Sequence, residues 1–241
     1  MLLKTRGIIF RALKYSETSF ITDIYTEEKG LRSYIISGVR KKKARVRASL
    51  LQVMTLVDLV VYHRDDKSLS RIKEIKAARV YQSIPFDVTR GAIGLFMVEV
   101  ARKTISESEE NQALFHFLFE TFSFLDRTEQ SVANIHLCFM ARFSLFLGFY
   151  PEVDCEAEAS YFDLQEGVFT TQPPGHTWFL NPDESDIWAA LLVTEYADCH
   201  RLPLSREVRR QLLRHQLLYY RLHIENFPTI NAHQILEEVL G

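Results

Sequence analysis

The stretch "SFITDIYTEEKGLRSYIISG", Ser19 to Gly38, decides how this chain is read. Ser19–Thr26 and Gly30–Val39 alternate β-branched or aromatic residues with polar ones, which is the period of half-buried strands. Between them "TEEKG" reads as a hairpin loop, with Gly30 free to take positive φ. Working outward, "GIIFRALK" before this pair and "TLVDLVVYHR" (Thr55–Arg64) after it have strand character. "RIKEIKAARVY" follows and suits either a strand or a helix. Five short strands from Thr5 to about Tyr81 leave no room for crossover helices, so a small closed barrel is expected. The oligonucleotide-binding (OB) barrel is one of the few five-stranded solutions.

Immediately after the second strand of the pair comes "RKKKARVR". Six of its eight residues are cationic: Arg40, Lys41, Lys42, Lys43, Arg45 and Arg47. The chain's formal net charge is only −2, yet residues 1–82 hold 18 Lys and Arg against 8 Asp and Glu. The remainder holds 11 against 23, so a basic front is joined to an acidic rear. Such asymmetry points to a polyanion partner for the front. Lysines and arginines with few apolar side chains between them grip phosphates and read little sequence. Tyr15, Phe20, Tyr25 and Tyr34 offer either stacking surfaces or core.

After Pro85 the period changes. Ile93, Phe96, Met97, Val100, Ala101 and Thr104 fall on one helical face. Leu114–Leu125 and Val132–Leu147 follow as buried helices, the latter ended by Gly148 with Pro151 beyond it. "YFDLQEGVFTTQPPGHTWFL" breaks the helical period and reads as a hairpin and loop. Helices resume at Ser185, at Ser205 and at Asn231, the last with a capping-box-like Asn231 and Gln234. The expected class is α+β and multidomain. A barrel domain spans residues 1–82, a mainly helical domain 83–152 and 185–241, and a small hairpin insertion 153–184.

Several chemistries have no matching motif. There is no Gly-Lys-Ser/Thr loop, no G-x-G-x-x-G, no G-x-S-x-G and no H-E-x-x-H. The eight His are scattered, and His215 with His223 suits a helix face better than a metal pair. Cys138, Cys155 and Cys199 show no close pairing, so no disulfide framework is expected. No stretch reaches the roughly 20 apolar residues of a bilayer span, and the charged opening "MLLKTRGIIFRALK" lacks a signal-peptide core. The expectation is a cytoplasmic, nucleoid-associated binding protein without catalytic residues or cofactor.

At this point the residues carry a resemblance. "YSETSFITDIYTEEKGLRSYIISGVRKKKARVRASLLQ" resembles the N-terminal barrel of the RecO family of bacterial recombination mediators. The likeness continues through "LFHFLFETFSFLD", "FMARFSLFLGFYPEVDC" and "YYRLHIENFPTINAHQILEEVL", and so covers nearly the whole chain. It implies an OB domain, a helical domain and a small zinc-binding insertion. It also implies binding to single- and double-stranded DNA, strand annealing, cooperation with RecR, docking on the acidic tail of single-strand DNA-binding protein (SSB), and indirect help in loading RecA. The zinc-bearing pattern has two Cys pairs after the Gly-aromatic-x-Pro stop, whereas here only Cys155 stands in that region. With His176 it supplies two ligands at best, so no metal is expected. A pocket for the SSB tail needs cations beside an apolar floor, which points first to Arg142 and then to Arg102 and Lys103; Arg209, Arg210 and Arg214 form another cluster. Charge alone leaves open an RNA-binding OB protein, a scaffold whose basic run meets an acidic protein, and a nuclease with a dispersed site.

Overall fold

In the computed structural model, described over residues 1–39, 48–63, 69–105, 110–151 and 161–240, five strands close a barrel. They are β1 (Leu2–Lys14), β2 (Ser19–Thr26), β3 (Gly30–Ser37), β4 (Leu56–Tyr62) and β5 (Leu69–Ala77). β1 is long because it serves two neighbours. Its first half pairs with β4 and its second half with β2, and the ladder slips at a bulge between Ile9 and Arg11. The order β1-β2-β3-β5-β4 closes back on β1, with β3 and β5 parallel and every other pair antiparallel. Followed across partners, the register runs from Leu2 to Tyr62, Arg71, Ile35 and Ile21, and meets β1 again at Leu13. That stagger is what tilted strands need in order to close. The OB topology follows from this order.

The hairpin turn is made as expected, with Gly30 at φ 59°. The ambiguous "RIKEIKAARVY" is a strand over β5: Ser70, Ile72 and Ile75 point in, while Arg71, Lys73 and Lys76 point out. Ile24, Tyr34, Ile36, Leu59 and Val61 build the interior, and Val39 and Leu51 close it from the segment after β3. Gly7 is needed for close approach, since a Cβ there would lie 2.6 Å from Ile24 Cγ2 and 3.0 Å from Leu59 Cδ1. Tyr25 stacks outward on Phe10 at 5.7 Å and is covered by Phe115 of a helix. Tyr25 and Tyr34 are therefore packed away, and neither can serve as a stacking surface.

Two helices complete this part. α1 (Val88–Thr104) starts at Asp87, whose carboxylate accepts from Arg90 N–H. α2 (Gln112–Arg127) carries Phe115, and its Asp126 carboxylate accepts from the backbone N–H groups of Gln82, Ser83 and Ile84 at 2.9–3.0 Å. The chain divides into two compact units, Met1–Arg127 and Thr128–Gly241, so α1 and α2 fall in the unit that contains the barrel.

The second unit is mainly helical. α3 (Ile135–Leu147) ends at Gly148, which takes φ 85°. A small sheet follows, ordered β7-β6-β8, from β6 (Tyr161–Asp163), β7 (Val168–Thr170) and β8 (Phe179–Leu180). It is fastened by aromatic packing: Phe162 meets Phe169 at 4.8 Å, Trp188 at 5.2 Å and Tyr219 at 5.8 Å. α4 (Pro182–Val193) begins ahead of the expected Ser185. Asn181 and Glu184 form a full capping box there, with Pro182 at the first turn. α5 (Arg206–His223) is capped by Ser205 as expected, and α6 (Ala232–Leu240) ends the described chain. Contrary to the reading of three thiols with no close pairing, Cys138 of α3 and Cys199 lie side by side, with Cα atoms 6.7 Å apart. Their separation of 61 residues hid the pairing from local inspection.

Candidate nucleic-acid interface

The basic run itself, with Arg40, Lys41, Lys42, Lys43, Arg45 and Arg47, lies outside the described residues. Its two roots do not. On one side Gly38, at φ 83°, and Val39 both donate N–H to Thr18 O, at 2.8 and 3.1 Å. On the other, a short 3-10 helix at Ala48–Leu51 buries Leu51 in the barrel. Both described flanks are thus fastened to the barrel, the first of them to the β1–β2 loop.

Two concavities open on the barrel surface, and charge separates them. The larger, about 840 Å³, is lined by Lys4, Arg6, Lys73 and Lys76 together with Glu27, Glu28, Asp58 and Glu74. Arg6, Lys73 and Lys76 each lie beside a carboxylate, Lys73 at 3.8 Å from Glu74. Arg6 forks onto Glu27 at 2.6 and 2.8 Å, and Lys76 lies 3.3 Å from Asp58. The hydrogen bond from Arg6 holds the Glu27 carboxyl below its usual range and, in return, raises the arginine. His116 joins the pair at 3.1 Å, and Arg6 lies over the Phe119 ring at 5.0 Å, so this cluster ties α2 to the barrel.

The smaller concavity, about 670 Å³, is lined by Met1, Ser37, Tyr62, His63, Leu69, Ser70, Arg71, Ile72 and Lys73. No carboxylate is among these described residues. Ser37 ends the strand that leads into the basic run, and Tyr62 is 47% exposed at the end of β4. Tyr15, 66% exposed beyond β1, is the member of the expected aromatic set that faces solvent most openly, while Phe20 packs partly against the barrel core. A polyanion suits a concavity whose described lining has no acid better than one with four cations against four acids. Tyr62 and Arg71 were not singled out from the sequence. Alternation in "VVYHR" fixes that Tyr62 and Val61 oppose one another, but not which faces in.

In the second unit Arg142 is engaged within the chain. It meets Glu195 at 2.8 Å, donates to Thr194 O at 3.1 Å and lies 5.3 Å from the Tyr196 ring centre. The Glu195 carboxyl is correspondingly held low by Arg142. Arg102 and Lys103 belong to the first unit, where Lys103 pairs with Glu99 at 2.6 Å. A separate cleft of about 180 Å³ is lined by Arg206, Arg209 and Arg210, by Glu207 and Glu237, by Leu213, Leu236 and Leu240, and by His136, with Arg210 paired to Glu207 at 2.7 Å. Burial and the neighbouring Arg206 both act against the Arg209 charge, and its Nε is a buried donor without a hydrogen-bond partner among the described residues.

The family model "Recombination protein O N terminal" matches residues 1–81, and "Recombination protein O C terminal" matches 85–229. The chain belongs to the RecO family. Relatives named DNA repair protein RecO are similar along the whole length. The one from Bacteroides fragilis is 38% identical over 240 residues, covering 99% of each chain. Those from Phocaeicola vulgatus and Christiangramia forsetii are 35% and 34% identical and cover 100% of both chains. The OB-like barrel with its basic run is thus the N-terminal part of a DNA repair protein. Cys155, the thiol at the zinc position, lies outside the described residues, and His176 pairs with Asp163 at 3.2 Å. Among the described residues no three His, Cys, Asp or Glu gather as a metal site, and no helix is long and apolar enough to cross a membrane.

Proposed function

We propose that this chain is a non-catalytic recombination mediator of the nucleoid. It binds single- and double-stranded DNA, anneals complementary strands and, with RecR, helps load RecA on SSB-coated DNA. The observation that carries the reading is a groove on an OB barrel whose described lining has Arg71 and no acid, in a chain whose barrel part also holds a six-cation run in its sequence. Annealing needs little beyond this: a protein that neutralises phosphates on two strands lowers their mutual repulsion and lets base pairing proceed.

Replacing Lys41, Lys42 and Lys43 by Ala together is expected to weaken binding to all single strands alike. The salt dependence should become shallower by about 0.7 for each phosphate that is no longer neutralised. Titrations of oligonucleotides at several salt concentrations measure both. An unchanged slope would make the run surface decoration, and stronger binding to matched RNA than to DNA would favour an RNA-binding role. Shortening of the strand in magnesium would favour a nuclease.

For the acidic tail of SSB, Arg142, Arg102 and Lys103 are the candidates from sequence, and the α5–α6 cleft joins them on geometry. Arg142 already has a carboxylate partner, whereas Arg209 and Arg206 crowd each other over an apolar floor. An acidic, apolar-ended peptide relieves both conditions at the cleft. The tail peptide is expected to bind about tenfold more weakly to Arg209→Ala, from one charged hydrogen bond, and little more weakly to Arg142→Ala. The reverse order, with both variants folded, would move the tail to Arg142.

A further inference from the structure

The register of the barrel places Leu2 of β1, Tyr62 of β4, Arg71 of β5 and Ile35 of β3 in one row of outward positions. Tyr62 therefore has an aliphatic neighbour on one side and a guanidinium on the other. Its ring is about half exposed, although it sits on a strand and not on a loop. Arg71 extends from the same groove, whose described lining holds no acid, while Lys73 lies 3.8 Å from Glu74 and also lines the mixed concavity. Strand positions fix a ring in place, so little order is lost when a flat partner lies against it.

We propose that Tyr62 is the platform on which a base of a single strand stacks, with Arg71 meeting the adjoining phosphate. The inference rests on the nucleic-acid reading of the groove and adds a preference for unpaired bases. Phosphate contacts treat single strands and duplex alike, whereas an aromatic platform can act only on a base free of its partner. The stack holds a base out along β4 while Arg71 meets the backbone. A bound strand is then presented with its bases ordered and its charge reduced.

The test compares wild type, Tyr62→Ala and Tyr62→Phe on an oligothymidylate strand, its abasic counterpart and a duplex, by fluorescence anisotropy. Stacking of one base on an aromatic ring corresponds to roughly 5- to 100-fold in affinity. Tyr62→Ala is expected to lose that factor on oligothymidylate alone, with an unchanged salt slope and an unchanged melting temperature. Tyr62→Phe should keep wild-type affinity, because the ring and not the hydroxyl does the stacking. Equal affinity of wild type and Tyr62→Ala for oligothymidylate overturns the platform while leaving the groove's nucleic-acid role standing. So does an equal loss on the abasic strand or the duplex, which would point to a general change of surface. Failure of the wild-type protein to bind oligothymidylate at all removes the reading beneath it as well.

Discussion

Asp126→Ala is expected to destabilise the first unit by about 3–5 kcal/mol, because three buried or part-buried backbone donors lose their acceptor at once. The carboxylate is 2% exposed and collects the N–H groups of Gln82, Ser83 and Ile84, the turn that carries the chain from the barrel to α1. Without it, each donor must find water in a space too closed to admit it freely. Asp126→Asn offers a built-in comparison. Oδ1 accepts from all three donors and Oδ2 accepts from Gln82 as well, so an amide with its oxygen at Oδ1 keeps three bonds but loses the charge assistance and sets its NH2 against the Gln82 N–H. About 1–2 kcal/mol is expected for that variant. Both tryptophans, Trp178 and Trp188, lie in the second unit, so their fluorescence does not report this change. Urea unfolding followed by far-ultraviolet dichroism, with hydrogen exchange at residues 82–84, does. Equal losses for Ala and Asn would show that charge, not acceptor geometry, holds the turn.

Acid is expected to weaken the second unit well before its carboxylates titrate. His136 is almost fully buried, and burial followed by the nearby Arg209 lowers its pKa from 6.5 to about 3. The groups around it at the cleft are Arg206, Arg209 and Arg210 with Glu207 and Glu237, so cations outnumber acids. In the unfolded chain the imidazole takes a proton near its ordinary value, and in the folded chain it resists until about pH 3. The unfolded state therefore binds more protons throughout that window, and stability falls as pH falls. The slope is about 1.4 kcal/mol per pH unit, giving roughly 2 kcal/mol lost by pH 5 and about 4–5 by pH 3. Above pH 7 the contribution is flat. His215, also lowered by burial against the opposing pull of Glu184, acts in the same direction. Tryptophan-monitored unfolding between pH 7.5 and 5 measures the effect where few Asp and Glu change charge. His136→Gln should flatten that dependence, and an unaltered profile would place the acid sensitivity elsewhere.

The barrel could be read from the chain because its signals are local. A strand is announced by alternation, a hairpin by its turn glycine, and a five-strand count with no crossover helices leaves few closed architectures. The helix caps at Ser205 and Gly148 are equally local, since each satisfies donors or carbonyls within one turn of itself. The cap of α4 at Asn181, ahead of Ser185, has a local signal too, because Asn-Pro-x-Glu is a capping sequence.

The function was half legible for a physical reason. The positive charge is additive along a sequence, so the basic run and the acidic rear were evident as sums, and the family motifs sharpened them. Which cations remain available is a matter of pairing through space. Arg142 stood out as a charge within an apolar helix, yet Glu195, far along the chain, answers it. Arg6 and Lys76 are as basic by composition as Arg71, but carboxylates from other strands neutralise them. Tyr25 and Tyr62 have the same strand character. The β1–β2 register and α2 bury the first, while the end of β4 leaves the second open. Sequence determined the strands, their turns, the barrel and the sign of its charge, because each depends on residues within a few positions of one another. Only the tertiary structure decided which cations stand beside carboxylates, which tyrosines are buried and which cysteines meet, because those depend on which distant segments closure brings side by side.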